Sequence, residues 1–238
     1  MLRIFIKTIH LMECHSTQDY IKKYINPEKY SEIIVSASNQ LAGVGRTGNE
    51  WHYYKNAIAF SFTLMPLLEE PTLTSMEIGV LLVKFFQTKF NISLYLKWPN
   101  DLLTRNVEKC GGILIHAINS STLVVGIGIN INLTPEESKY SKFGFIELYN
   151  LDPNYKESLP IEIYNYVLSN RLSINEIKKM WKEYCIHLDR IVKIVDRNTT
   201  HIGKFIGLDD RGEALLEVKK NGTIEIERIL NGSLFIDA

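Results

Sequence analysis

Residues 123–132 read Leu-Val-Val-Gly-Ile-Gly-Ile-Asn-Ile-Asn, the pattern that most narrows what this chain can fold into. In an extended strand Ile127, Ile129 and Ile131 share one face, which leaves Gly126, Gly128, Asn130 and Asn132 on the other. Interior strand glycines mark the close approach of another backbone or a ligand. Two glycines followed by Asn suggest a floor for a planar ring, with an amide to read its edge. Tight helix packing on the glycines is the competing account, and it leaves Asn130 unexplained. Residues 57–64 alternate in the same way: Ile58, Phe60, Phe62 and Leu64 against Ala57, Ala59, Ser61 and Thr63.

Around these strands the pattern predicts further elements. Residues 4–12 and 33–37 read as short strands, with Ser16-Thr17 capping a helix that runs to Ile25. Residues 41–56 read as a loop, because Gly43, Gly45 and Gly48 break any period. A strongly apolar helix begins at Thr72 or Thr74. Residues 95–98 and 111–117 read as strands, and 161–170 and 174–187 as helices with buried stripes. From Arg190 the period shortens to strands at 191–195, 201–206, 214–218, 223–228 and 234–236, separated by turns at Asp210-Arg-Gly and Asn221-Gly. The expectation is an α+β domain over residues 1–188, a mixed sheet flanked by helices, followed by a small β-barrel over 189–238.

Composition removes several classes of function. The 238 residues carry 27 Lys plus Arg and 27 Asp plus Glu, so no basic excess points to DNA or an anionic membrane. Cys14, Cys110 and Cys185 are odd in number and lack C-x-x-C spacing, which argues against a disulfide framework and for a reducing compartment. No apolar run is long enough to span a bilayer, and the first residues do not read as a signal peptide, so a cytoplasmic location is expected. His10, Cys14 and His15 fit no standard metal spacing, and Cys110 reads as a small packing residue.

Three further stretches carry chemistry. In Gln40-Leu-Ala-Gly-Val-Gly-Arg-Thr-Gly-Asn-Glu-Trp51, glycines bring backbone N–H groups close to an anion and Arg46 can neutralise it. Alone, that stretch also reads as a flexible surface loop. In Lys97-Trp-Pro-Asn-Asp101, Pro99 ends strand pairing, so Asn100 and Asp101 are presented at a strand terminus. There Lys97 could serve a phosphate and Asp101 its Mg²⁺. In Lys109-Cys-Gly-Gly-Ile-Leu114, an ammonium stands beside two glycines at a strand start; an ordinary solvated Lys is the bland alternative.

In this order, with Ser16-Thr17 upstream, the motifs resemble the biotin–protein ligase family. Its hallmarks are a Ser-Thr-Asn start, a G-R-G-R-x-G-x-x-W loop, K-W-P-N-D, K-x-x-G-I-L and G-I-G-I-N, and the resemblance covers residues 3 to 236. It implies a catalytic domain of the class II aminoacyl-tRNA synthetase/biotin ligase type with an SH3-like C-terminal barrel. It also implies biotin and ATP as substrates with Mg²⁺, and a biotin carboxyl carrier protein as acceptor partner, the enzyme being a monomer or homodimer. Biotin would be activated to biotinyl-5′-AMP and passed to a carrier lysine. By position, Arg46, Lys97, Asp101 and Lys109 match the catalytic groups, with Asp101 on the metal side. Ser16, Thr17, Gln40, Gly43, Gly112 and Gly126 match the biotin site. Gly45, Trp51, Asn100, Gly128 and Asn130 match the adenylate site.

Departures are equally specific. Val44, Thr47 and Asn49 leave Arg46 as the sole arginine of the loop, which predicts a weaker electrostatic hold on the adenylate. Gln18 replaces the usual Asn, and His116 stands where an acidic residue is frequent. Only 15 residues precede Ser16, too few for the winged helix that makes some members repressors, so no DNA partner is expected. Two alternatives stand beside this reading. A lipoate–protein ligase shares the catalytic fold but has an R-R-x-S-G-G-G loop and no W-P-N-D. A non-catalytic biotin-binding or carrier-docking module would have no need of Arg46, Lys97, Asp101 and Lys109.

Overall fold

The structure is a computed structural model that describes residues 6–24, 32–66, 71–197, 199–220 and 222–236. β1 (Ile6–Leu11) and β2 (Glu32–Ala37) pair in parallel, joined through α1 (Thr17–Lys22). The Ser16 hydroxyl caps α1 by accepting the Asp19 N–H at 3.4 Å, as the Ser-Thr signature predicts. The predicted ends at Ile4 and Ile25 lie outside the described residues. The stretch predicted as loop is more ordered than its glycines suggest. β3 (Gly43–Val44) and β4 (Glu50–Trp51) form a two-stranded hairpin around a 3₁₀ turn at Arg46–Gly48.

β5 (Ile58–Leu64) is followed by α2 (Pro71–Phe90). Leu73, Met76, Val80, Leu81, Leu82, Val83 and Phe86 leave α2 almost no solvent face, because the sheet covers one side and two later helices the other. Then come β6 (Tyr95–Lys97), β7 (Asp101–Leu103), β8 (Lys109–Asn119) and β9 (Thr122–Ile129). Sequence reading missed β7, since the Pro-Asn-Asp turn hides a strand of three residues. It also carried β9 too far, for Asn130 and Asn132 lie past its end. The seven strands run in the order β1-β2-β5-β9-β8-β7-β6, antiparallel except for β1 and β2.

α3 (Pro135–Tyr140) was not predicted, although Thr134 and Glu137 form a capping box, with Pro135 at the first helical position. α4 (Tyr155–Ser169) starts earlier than the expected 161–170 and carries Pro160 inside it. Pro160 lies beyond the first turn, so α4 forgoes the ladder bond that a backbone N–H there would donate to the Lys156 carbonyl. α5 (Ile174–Tyr184) starts where predicted, under a Ser173/Glu176 capping box, and stops three residues short of His187. No helix among the described residues is long and apolar enough to cross a membrane.

β10 (Ile191–Asp196), β11 (Thr199–Leu208), β12 (Ala214–Lys220), β13 (Thr223–Ile229) and β14 (Ser233–Ile236) form a second, antiparallel sheet ordered β13-β12-β11-β10-β14. Its inner residues Val192, Ile194, Phe205 and Leu216 belong to the same buried cluster as Phe60, Phe86 and Trp98. At the seam, the Trp98 indole N–H donates to the Gly212 carbonyl at 3.2 Å, and His187 is wedged between the Trp181 and Phe205 rings. Burying each such large side chain contributes roughly 1.5–3 kcal/mol.

Candidate active site

A cavity of about 290 Å³ opens on the face of the large sheet where Gly126 and Gly128 lie. The start of α1, the β3–β4 hairpin, the β6–β7 turn and the β13–β14 connection contribute its walls. Its closed end is neutral. Gln40 Oε1 accepts from the Thr17 N–H at 2.9 Å and from Thr17 Oγ1 at 3.2 Å, and that hydroxyl lies 2.9 Å from Ser61 Oγ. Thr17, Gln40 and Ser61 retain 3%, 9% and 0% of their exposure, so each is dry enough to depend on these bonds. Gly43 does not line the cavity; it lies beneath Gln40, where a Cβ would come within 2.4 Å of the amide nitrogen.

Gln18 also reaches this end. Its amide nitrogen donates to the Leu114 carbonyl at 2.8 Å, and its oxygen lies 3.0 Å from His116 Nδ1. The two departures from the family pattern are therefore in contact with each other. Burial, then Lys22, lowers the His116 pKa below its ordinary value, with Asp19 opposing. The Gln18 amide fills the space above Gly126, 2.6 Å from where a Cβ would stand. For Gly126, side-chain packing from a helix is thus the observed arrangement, while the glycine still borders the cavity.

The open end is ionic. β6 and β7 form a hairpin in which Lys97 pairs with Asp101, so the motif folds back on itself. Asp101 Oδ2 lies 3.1 Å from Lys97 Nζ, and Oδ1 lies 2.7 Å from Lys109 Nζ. Lys109 stands at the start of β8, and its ammonium crosses above Gly112, where no side chain intervenes. Asn100 is fixed by two bonds to Ile113: its Nδ2 donates to the Ile113 carbonyl at 2.8 Å, and its own carbonyl accepts the Ile113 N–H at 3.0 Å. Arg46, leading the 3₁₀ turn, donates to Asn100 Oδ1 at 3.4 Å. Burial lowers the Arg46 pKa and the nearby Asp101 and Asp196 carboxylates raise it; a guanidinium keeps its charge under either influence.

The Trp51 indole rests on Gly128, 2.6 Å from where a Cβ would stand, which explains the glycine in physical terms. Asn130 is buried and lies outside the main cavity, in a small side space shared with Trp51, Lys109 and Phe143. Its Nδ2 donates to the Gly144 carbonyl at 3.0 Å, while its Oδ1 and the Trp51 Nε1 are buried without a partner among the described residues. An unused acceptor and an unused donor at one place are the requirements of a heterocycle's edge. Asn132 turns away to the Leu148 carbonyl.

Of the residues singled out from the sequence, Ser16, Thr17, Gln40, Gly45, Arg46, Trp51, Lys97, Asn100, Asp101, Lys109, Gly112, Gly126 and Gly128 border one cavity. Gly43 and Asn130 stand just behind it. Sequence reading missed Ser61, although the small face of residues 57–64 was its signal, and missed the β13–β14 connection, which carried none. Asp101 does not fit a resident magnesium ion as it stands, because both of its oxygens face ammoniums. Cys110 is buried, its thiol pushed up to about 12 by that burial, which makes it a packing residue and no nucleophile.

Residues 12–132 match the profile of the Biotin/lipoate A/B protein ligase family. The bifunctional ligase/repressor BirA of Bacillus subtilis is 27% identical over 89% of this chain and 71% of its own. The human biotin–protein ligase is 23% identical over 80% of this chain and 28% of its own. Among solved structures, a biotin protein ligase from Aquifex aeolicus in complex with biotin and ATP superposes with a TM-score of 0.77 at 28% identity, covering 97% of this chain and 99% of that one.

Proposed function

The chain belongs to the biotin/lipoate A/B protein ligase family and is a ligase, and we propose that it joins biotin to a lysine of a biotin carboxyl carrier protein by way of biotinyl-5′-AMP. One observation carries this reading: Lys97, Lys109 and Arg46, from three separate stretches of chain, converge on the ionic end of a cavity whose other end is neutral.

The first step brings two anions together. A biotin carboxylate oxygen forms a bond to the α-phosphorus of ATP, the bond to the bridging oxygen breaks, and pyrophosphate leaves. Three cations gathered at the Asp101 carboxylate offset the repulsion, and they are held in place before the reaction begins. Asp101 keeps the two ammoniums spaced until phosphate oxygens compete for them. In the second step a neutral lysine amine attacks the acyl carbon, the carbon–oxygen bond to phosphate breaks, AMP departs, and the amine loses its proton. Arg46 and Lys109 then stabilise the leaving phosphate.

At the closed end, Thr17, Gln40 and Ser61 offer uncharged donors and acceptors suited to the ureido ring. Trp51, Gly128 and Asn130 suit the adenine. Residues 189–238 act as a C-terminal unit that completes the wall. Magnesium, expected with the nucleotide, has no ready ligand in an Asp101 already holding two ammoniums. Docking of the carrier falls on an edge of the seven-stranded sheet, by strand pairing.

Feeding ATP with biotin or with lipoate and following pyrophosphate release tests the proposal. Release with biotin alone is expected. Release with lipoate alone moves the chain to the other branch of its family, and release with neither acid returns it to a binding module.

A further inference from the structure

Arg46 is gripped from the far end of the chain. Its guanidinium donates to the Gly232 carbonyl at 3.4 Å through Nη1 and to the Asn231 side-chain oxygen through Nη2. Asn231 and Gly232 lie in the connection between β13 and β14, which also borders the cavity. That connection is set by its own geometry. The Gly232 N–H donates to Asn231 Oδ1 at 3.0 Å, so the acceptor is aimed before Arg46 arrives. Gly232 has a φ of +145°, and a Cβ there would stand 2.7 Å from Ile194 Cγ2 and 2.9 Å from the Val195 carbonyl, so no other residue fits. On the other side, the Gly45 N–H donates to the Asn49 carbonyl at 2.7 Å and the Asn49 N–H to the Arg46 carbonyl at 3.1 Å, closing the hairpin tip on itself.

The chemistry of these acceptors matters. Lys97 and Lys109 share a carboxylate, which cancels part of their charge, whereas these three partners of Arg46 are amide and carbonyl oxygens. These neutral acceptors fix the guanidinium without adding to the negative charge that Asp101 and Asp196 already place near it. We infer that Asn231 is a positioning residue for Arg46: the Asn231–Gly232 turn holds the sole arginine of the loop at the cavity through neutral oxygens, in place of the additional loop charges that Val44, Thr47 and Asn49 do not supply. The inference rests on the ligase reading for what Arg46 does, and on contacts alone for how Arg46 is held.

Asn231 is exposed, so its replacement leaves the fold intact. Asn231→Ala removes the acceptor, and Asn231→Asp restores one that carries charge. Both are made in the full chain. The first measurement is the rate of trypsin cleavage after Arg46 without substrates, followed by mass spectrometry. Cleavage about tenfold faster in Asn231→Ala is expected, at an unchanged thermal midpoint, from the loss of a hydrogen bond to a charged group. Asn231→Asp is expected to cleave no faster than the wild type. The second measurement is the release of preformed biotinyl-adenylate, expected about tenfold faster in Asn231→Ala. It is also faster in Asn231→Asp, because the new carboxylate neutralises the guanidinium. Equal cleavage in wild type and Asn231→Ala overturns the inference, and so does unchanged adenylate release in both variants. If the wild type forms no adenylate, the ligase reading fails while the cleavage rates still judge the clasp.

Discussion

The two ends of the cavity hold their own residues by opposite means. At the closed end Thr17, Gln40 and Ser61 are uncharged, almost fully buried and bonded to one another. At the open end the Lys97, Asp101 and Lys109 side chains keep 24%, 12% and 35% exposure and are held by charge. A dry neutral network is stable at about 1 kcal/mol per bond, whereas charges placed there would cost several kcal/mol each. The closed end is thus built to read a fixed pattern of donors and acceptors. The open end, where water still reaches, is built to exchange one anion for another.

The contrast breaks or sharpens under three measurements. The largest effect is expected from Lys109→Ala, which leaves Asp101 with one ammonium and the junction one cation short. Pyrophosphate release should fall roughly 10²–10³-fold in kcat/KM, the scale of losing one preorganised charge-stabilising group. A drop below tenfold would mean the open end merely binds. Next, Gln40→Ala strips the acceptor from both Thr17 donors. The KM for biotin should rise about tenfold or more, with kcat nearly unchanged, since the contact is the same before and during reaction. A fall in kcat with KM unmoved would erase the division of labour.

The smallest effect lies behind the open end, at His187. Burial, then Lys97 and Arg190, pushes its pKa down to about 3 from an ordinary 6.5. The unfolded chain therefore takes up this proton near pH 6.5 and the folded one only near pH 3. Stability is complete above 6.5 and declines as the pH falls through that window, by at most about 1.4 kcal/mol per pH unit. Urea midpoints at pH 7 and pH 5 should differ, and His187→Phe should flatten the difference. A wild-type midpoint that does not move would show that His187 gains its proton without cost in the fold.

Much of the molecule was legible in advance where one residue type has one physical use. Gly126 and Gly128 demanded close approach, and Gln18 and Trp51 supply it. Ser16 announced a helix start, and Lys97 through Asp101 announced a turn. What stayed hidden depends on partners distant in sequence. Ser61 looks like any small residue on a small face until Thr17 stands 2.9 Å away. The hairpin at Gly43–Trp51 is invisible because strands of two residues have no period. The opening of α4 at Tyr155 stayed hidden because the helix continues through Pro160, a residue that ordinarily kinks or ends one.

Trp98 sits in the middle of the reactive turn with no exposed surface, and its indole nitrogen finds its acceptor at Gly212, in the turn between β11 and β12. The Lys97–Asp101 hairpin and the C-terminal strands are consequently tied to each other. A cut after residue 188 would take away the Gly212 carbonyl that the Trp98 indole N–H bonds, behind the hairpin that carries Lys97 and Asp101. Any split version, made for complementation or for fusion to another protein, has to be divided at a place where the two pieces do not share that bond.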